Sequence, residues 1–211
     1  MTAGKSEVLI AGYVLAGGGS TRFGRDKAFV EIGGKPMLAR MIELLQSVTK
    51  QVKVVGAPEK YADFAVAIVA DRWPGEGPLG GIITALEDAV KSAERGEWNL
   101  IVSCDMPFLT EAWLKFLGKR AAESSAQVVL PHSTSGPEPL CACWRTDGAD
   151  ALRSGFERRV RKMTDGIALL RAEVLDAADW KRFDSAGRLF WNMNTAVDFE
   201  EARRIWEAER V

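Results

Sequence analysis

A chain of 211 residues, 47% hydrophobic and 27% charged, has the size and balance of one soluble globular domain with a proper core. Its formal net charge of −1 excludes a general nucleic-acid binder, which needs a basic excess or stripe, yet leaves room for a local site for a small anion. No apolar run approaches the roughly 20 residues of a membrane-spanning helix, and the polar stretch 1–7 does not read as a signal peptide.

The elements alternate along the chain. Residues 8–16 (VLIAGYVLA) are short and almost wholly apolar, as a strand covered on both faces should be. A glycine-rich loop follows. In 36–48, Met37, Leu38, Met41, Leu44, Leu45 and Val48 fall at helical spacing, with Pro36 suited to the first turn. Strands are expected at 52–56 and 65–70, a helix at 79–93, and a buried strand at 98–103. Thr110 caps a helix running through Ala122. Further strands are expected at 127–131 and 140–145. Residues 148–170 read as helix in two pieces broken near Asp165-Gly166. A strand is expected at 171–175 and a Glu- and Arg-rich closing helix at 197–210. This alternation predicts an α/β fold: a three-layer, Rossmann-like, mostly parallel sheet with helices on both faces. With no repeat, low-complexity segment or linker, residues 1–211 form a single domain in this reading.

Cys104, Cys141 and Cys143 are an odd, sparse set, which points to a reducing compartment and hence the cytoplasm. Cys141 and Cys143 flank Ala142 in an apolar run with no second pair or histidine cluster, so they read as buried strand cysteines rather than metal ligands. His132 is the one histidine, and no nucleophile-elbow sequence accompanies it.

The loop after the first strand, within LAGGGSTRFGRDKA (15–28), lies where ligands bind in parallel sheets, beyond the strands' carboxyl ends. Its glycines let backbone N–H groups converge on an anion. Ser20 and Thr21 add hydroxyl donors, and Arg22, Arg25 and Lys27 add charge-assisted bonds to phosphate oxygens. The loop therefore reads as a polyphosphate cradle. It is not a Walker loop, because Arg25-Asp26 follows Gly24 where lysine and a hydroxyl are required. Nor is it a dinucleotide fingerprint, because Arg22 stands where the third glycine belongs.

Leu15, Ala16, Gly17, Gly18, Ser20, Arg22, Gly24, Asp26, Lys27 and Ala28, continued by GGKPML (33–38), form a pattern that resembles the molybdenum cofactor guanylyltransferases, nucleotidyltransferases of Rossmann-like fold. The resemblance runs from about Tyr13 to Ala202, strong to Leu109 and thin between Asp147 and Arg188. Phe23 stands where the family often has methionine, and Gly56 where some members carry an asparagine near the nucleotide.

Three later segments extend it. In DRWPGEGPLGGI (71–82), Asp71 ends a strand facing the cleft, and the glycines, Gly80 among them, allow close approach to a base or ribose. The LAGG form, rather than LAAG, leans in this family towards guanine over cytosine. In LIVSCDMPFLT (100–110), Asp105 sits just past a buried strand, at the position of the family's metal aspartate, and suits Mg²⁺, which takes one or two carboxylates with phosphate and water. In FWNMNTAVDFEEA (190–202), Asn192 and Asn194 lie two apart, on one side of an expected strand, where family members contact the pterin. Asn194 or Thr195 also suits the cap of the last helix, with Asp198 in its first turn. Glu138 and Pro139, in GPEPLCACW (136–144), border the acceptor pocket by the same resemblance.

The resemblance implies transfer of GMP from GTP to the terminal phosphate of molybdopterin or its molybdenum-loaded form, releasing pyrophosphate, with Mg²⁺ as cofactor. Lys27, Arg22 and Asp105 are then the catalytic residues. Leu15, Ala16, Gly17, Gly18, Lys27, Asp71, Gly80 and Asp105 bind nucleotide, Asp105 also holding the metal, and Glu138, Asn192 and Asn194 meet the acceptor. Transient contacts with other cofactor-biosynthesis or acceptor proteins are expected, because a reactive cofactor is passed between proteins. The rival readings are a relative using CTP or a sugar or lactyl phosphate acceptor, and a nucleotide-binding regulator that performs no transfer.

Overall fold

In the computed structural model, which describes residues 10–17, 26–93 and 96–209, strands and helices alternate as the apolar periodicity requires. The elements in chain order are β1 (Ile10–Leu15), β2 (Glu31–Ile32), β3 (Lys35–Pro36), α1 (Met37–Gln46), β4 (Gln51–Gly56), α2 (Pro58–Tyr61), β5 (Ala67–Ala70), α3 (Pro78–Lys91), β6 (Trp98–Ser103) and α4 (Glu111–Glu123). They continue with β7 (Val128–Ser133), β8 (Gly136–Pro137), β9 (Cys141–Arg145), α5 (Ala149–Glu157), α6 (Met163–Ile167), β10 (Ala172–Leu175), α7 (Ala177–Trp180) and α8 (Ala196–Ala208). Among the described residues no helix is long and apolar enough to cross a membrane.

The main sheet has the order β10-β7-β9-β6-β1-β4-β5, with β8 paired to β7 off this path. All neighbours on the path are parallel except β9, which runs against both β6 and β7. Alternate side chains of each strand enter opposite cores. Val14 and Ala16 of the first strand segment, Leu100 and Val102 of β6, and Cys141 and Cys143 of β9 pack with α1 and α4. Tyr13, Leu15, Ile101, Ala142 and Trp144 pack instead with α3 and α5. All three cysteines are buried and free. Burial raises the thiol pKa of Cys141 to about 12, despite the hydrogen bond from the Trp113 indole, which marks it as core rather than ligand or nucleophile.

β1 sends its crossover to β4 on one side, whereas β5 returns through α3 to β6 on the other. The chain thus reverses direction at β1, and a crevice opens between the ends of β1 and β6, as in other sheets that switch winding at one strand.

Two expectations are corrected. The interruption between α5 and α6 falls at 158–162, not near Asp165-Gly166. α5 ends where Arg159 adopts φ 71°, with Arg159 N–H bonded to Phe156 O and Val160 N–H to Gly155 O, the paired bonds of a Schellman cap carried by a non-glycine residue. Gly166 lies inside α6, where a Cβ would sit 3.0 Å from two atoms of Leu79, so it serves helix packing and not helix ending. The segment 191–194 is not a strand, because it leads directly into the cap of α8.

Gly56 closes β4 where nothing larger fits: a Cβ there would stand 2.5 Å from both Ala16 O and Tyr61 Cε2. Gly56→Ala is expected to lose about 1–3 kcal/mol, the cost of overpacking a filled site, seen as a lower urea midpoint at unchanged slope.

Candidate nucleotide and phosphate site

The crevice at the chain reversal contains a cavity of about 280 Å³ whose lining includes Leu15, Ala16, Gly17, Asp71, Gly81 and Ser103. Gly17, at φ 116°, turns the chain out of β1 in a conformation that L side chains rarely adopt. Asp71, directly after β5, accepts from Trp73 N–H at 3.0 Å and from the Thr84 hydroxyl at 3.3 Å, which fixes the turn leading to α3. Gly80 does not line the cavity. It is buried against Trp73, whose Cβ would be 2.8 Å from an added Cβ, and of the adjacent pair Gly80 and Gly81 it is Gly81 that lines the cavity.

Three distant segments meet at Lys27, one hydrogen bond beyond the Ser103 that lines this cavity. Lys27 Nζ donates to Asp105 Oδ2 at 2.9 Å and to Asn194 Oδ1 at 3.1 Å. The Lys27 and Asp105 side chains are only 17% and 14% exposed, so solvent and salt screen this pair less than a surface pair. The Ser103 hydroxyl donates to Asp105 Oδ1 at 2.6 Å and links the pair to the cavity wall. Met193 N–H donates to Asp105 O at 2.9 Å, which ties the segment before α8 to the end of β6. Asp198 accepts from the N–H groups of Asn194 and Thr195 at 2.8 Å each, while the Thr195 hydroxyl accepts from Asp198 N–H. Thr195 is therefore the cap of α8 and Asn194 is free to serve the site with its amide, so the capping and site roles coexist.

Lys27 is placed by its neighbour. Asp26 caps the 3₁₀ turn Lys27–Phe29 by accepting from Ala28 N–H at 3.0 Å. Its other oxygen accepts from the Tyr61 hydroxyl at 2.9 Å and from Lys60 Nζ at 2.5 Å. Burial acts to raise the Asp26 pKa, but the bonds from Lys60, Ala28 N–H and Tyr61 outweigh it and hold the carboxyl below its ordinary value.

The other expected residues separate. Glu138 lines a different cavity of about 490 Å³, together with Ser133, Lys181, Asp184 and Trp191. Burial raises its carboxyl pKa, against the Ser133 hydroxyl bonded to it at 2.6 Å and the charge of His132. The Asn192 amide donates to Phe190 O at 3.1 Å and does not join Asn194 on Lys27. Gly18 and Arg22 lie outside the described residues. A groove of about 1040 Å³ runs between the β2–β3 hairpin and α8 and has Asp26 and Phe29 in its lining. Among the described residues no three His, Cys, Asp or Glu side chains group as a metal cluster. Tyr61 and Lys60 were not singled out in the sequence, since each acts on Asp26, distant along the chain; Ser103 acts on Asp105 two residues away, and a lone strand-end serine carries no pattern of its own.

The family model described as MobA-like NTP transferase domain matches residues 12–172. A probable molybdenum cofactor guanylyltransferase of Mycobacterium bovis is 33% identical over 188 residues, covering 86% of this chain and 92% of its own. A protein of the same description from Chloroflexus aggregans is 30% identical over 200 residues, covering 92% and 93%. Among solved structures, molybdopterin-guanine dinucleotide biosynthesis protein A from Archaeoglobus fulgidus matches with a TM-score of 0.78 at 25% identity, covering 94% of this chain and 99% of that one.

The lowered Asp26 pKa makes its contribution to stability depend on pH with a definite sign. Ionised Asp26 stabilises the fold fully above the unfolded carboxylate pKa of about 3.9, and the gain disappears as pH falls through the lower folded value. Asp26→Asn is therefore expected to have a lower urea midpoint than the parent near neutral pH. The gap should close as the pH is taken below about 4.

Proposed function

The chain belongs to the MobA-like NTP transferase family, and from that premise we propose that it transfers GMP from GTP to the terminal phosphate of molybdopterin or its molybdenum-loaded form, in molybdenum cofactor biosynthesis. An acceptor phosphate oxygen attacks the α-phosphorus of GTP and forms a phosphoanhydride. The α–β bridging bond breaks, and its electron pair leaves with pyrophosphate. The acceptor is already an anion, so no strong base is needed, and the reaction depends on positioning and charge neutralisation.

The observation that carries this reading is the Lys27 ammonium, held by Asp105 and Asn194 and joined through Asp105 to Ser103, which lines the cavity. A cation there is suited to leave its protein partners for triphosphate oxygens and to stabilise charge on them as the bond breaks. Leu15, Ala16, Gly17 and Asp71 line the space for the nucleoside, and Gly81 lets the start of α3 approach it. Gly18 and Arg22 complete the triphosphate cradle in this proposal, on the strength of the loop pattern. In this proposal Asn194, bonded to Lys27, and Glu138, in the second cavity, meet the acceptor.

The donor set at Asp105 fits Mg²⁺. Among the described residues, each carboxylate oxygen holds a single side-chain donor, which leaves lone pairs for a hard cation that takes its other ligands from phosphate and water. Bound there, Mg²⁺ would neutralise phosphate charge. Asp105 would hold it while Ser103 fixes the orientation of the carboxylate.

Pyrophosphate release with Mg²⁺ and molybdopterin, run with GTP, CTP and ATP, tests the proposal. Release is expected with GTP alone. Release with CTP would keep the transfer chemistry and overturn the base, and binding without release would favour the non-catalytic regulator. Lys27→Ala and Asp105→Asn are each expected to lose more than ~100-fold in turnover, the scale of removing one preorganised electrostatic group.

A further inference from the structure

Tyr61 ends the short helix α2, outside the junction of Lys27, Asp105 and Asn194, yet it stands beside one stem of the loop that carries Lys27 and bonds the other. Its side chain is buried, with 1% of the residue exposed. On the outgoing stem, a Cβ added to Gly17 would lie 3.9 Å from the Tyr61 hydroxyl. On the returning stem, that hydroxyl donates to Asp26 Oδ2 at 2.9 Å, and the ring stacks on Phe29 at 5.8 Å between centroids. The ring is fixed from below by Gly56, where any side chain would drive into it. The glycine at 56 and the tyrosine at 61 thus act together: the missing side chain of one makes the seat of the other.

We propose that Tyr61 is a positioning residue for Lys27. Its phenol holds the Asp26 carboxylate, that carboxylate holds the Lys27–Phe29 turn through Ala28 N–H, and the turn aims the Lys27 ammonium at Asp105 and the crevice. The proposal rests on the catalytic role given to Lys27 above. Burial, with the neighbouring Asp26 charge, pushes the phenol pKa upward, so the hydroxyl remains a donor throughout the working pH range. Lys60 neutralises the same carboxylate, but its side chain is 49% exposed, and the buried phenol is the directional, ordered partner.

Tyr61→Phe in the full chain removes the hydroxyl and keeps the ring. It is expected to lower kcat/KM by about 10-fold or more, chiefly in kcat, because a displaced catalytic group costs most in the transition state. The melting temperature should fall by only a few degrees. In a Lys27→Ala background the same change should alter the residual rate by less than about twofold, because two residues acting as a unit are not additive. Amide exchange, followed by mass spectrometry on the protein without substrate, should be faster across residues 26–30 in Tyr61→Phe than in the parent. A full, additive loss in the Lys27→Ala background would overturn the proposal, and so would exchange and kcat/KM that both match the parent. Should the parent release no pyrophosphate with any nucleotide, the functional reading fails, and the exchange measurement alone decides whether Tyr61 holds the turn.

Discussion

The partly buried ammonium of Lys27 is where the structure converges. It reaches Asp105 across 78 positions of sequence and Asn194 across 167, so the glycine-rich loop, the central strand β6 and the entry to α8 meet on one charge. A cation taken this far from water requires carbonyl, amide or carboxylate oxygens around it. The chain supplies them from two segments that each have independent reasons to be there. Asp105 sits at the end of a fully buried strand, and Asn194 is held by the capping box of α8. The last helix is thereby part of the site as well as part of the fold.

The placement of this charge follows from the sheet. Apolar strands with both faces covered leave little room for polar residues within them, and parallel strands put all their carboxyl ends on the same side. Leu15 to Gly17, Asp71 and Ser103 gather there for that reason, and the reversal of winding at β1 opens a gap between them. The antiparallel β9 brings Leu140 and Glu138 to the same edge, because its beginning lies where β6 ends. One edge of one sheet thus carries both the cavity proposed for the nucleotide and the cavity lined by Glu138.

Much of this was legible in the sequence, and the exceptions have physical causes. Strands such as Trp98–Ser103 and helices such as Pro78–Lys91 are set by burial on both faces and by apolar spacing, which a sequence displays directly. Thr110 and Thr195 carry their caps as local patterns. The break after α5 was displaced because its cap places Arg159, not a glycine, in the left-handed region, while the nearby Gly166 is kept for packing against Leu79. The β2–β3 hairpin was missed because its strands are two residues long and only the turn at Gly33 and Gly34, both at positive φ, marks it. Within the site, Lys27, Asp71 and Asp105 stood out by motif. The exchange of Gly80 for Gly81 at the cavity wall is a matter of helical phase, which a run of glycines does not reveal. Asn192 and Asn194 separate because the cap of α8 bends the backbone that an extended strand would have kept straight.

In the proposed reaction Lys27 passes from its protein partners to the substrate phosphates. A crystal structure of the chain with Mg²⁺ and a non-hydrolysable GTP analogue tests it most directly. The triphosphate is expected beside Gly17, with the Lys27 ammonium within hydrogen-bonding distance of a phosphate oxygen. A triphosphate seated elsewhere, with Lys27 still bonded to both Asp105 and Asn194, would contradict it.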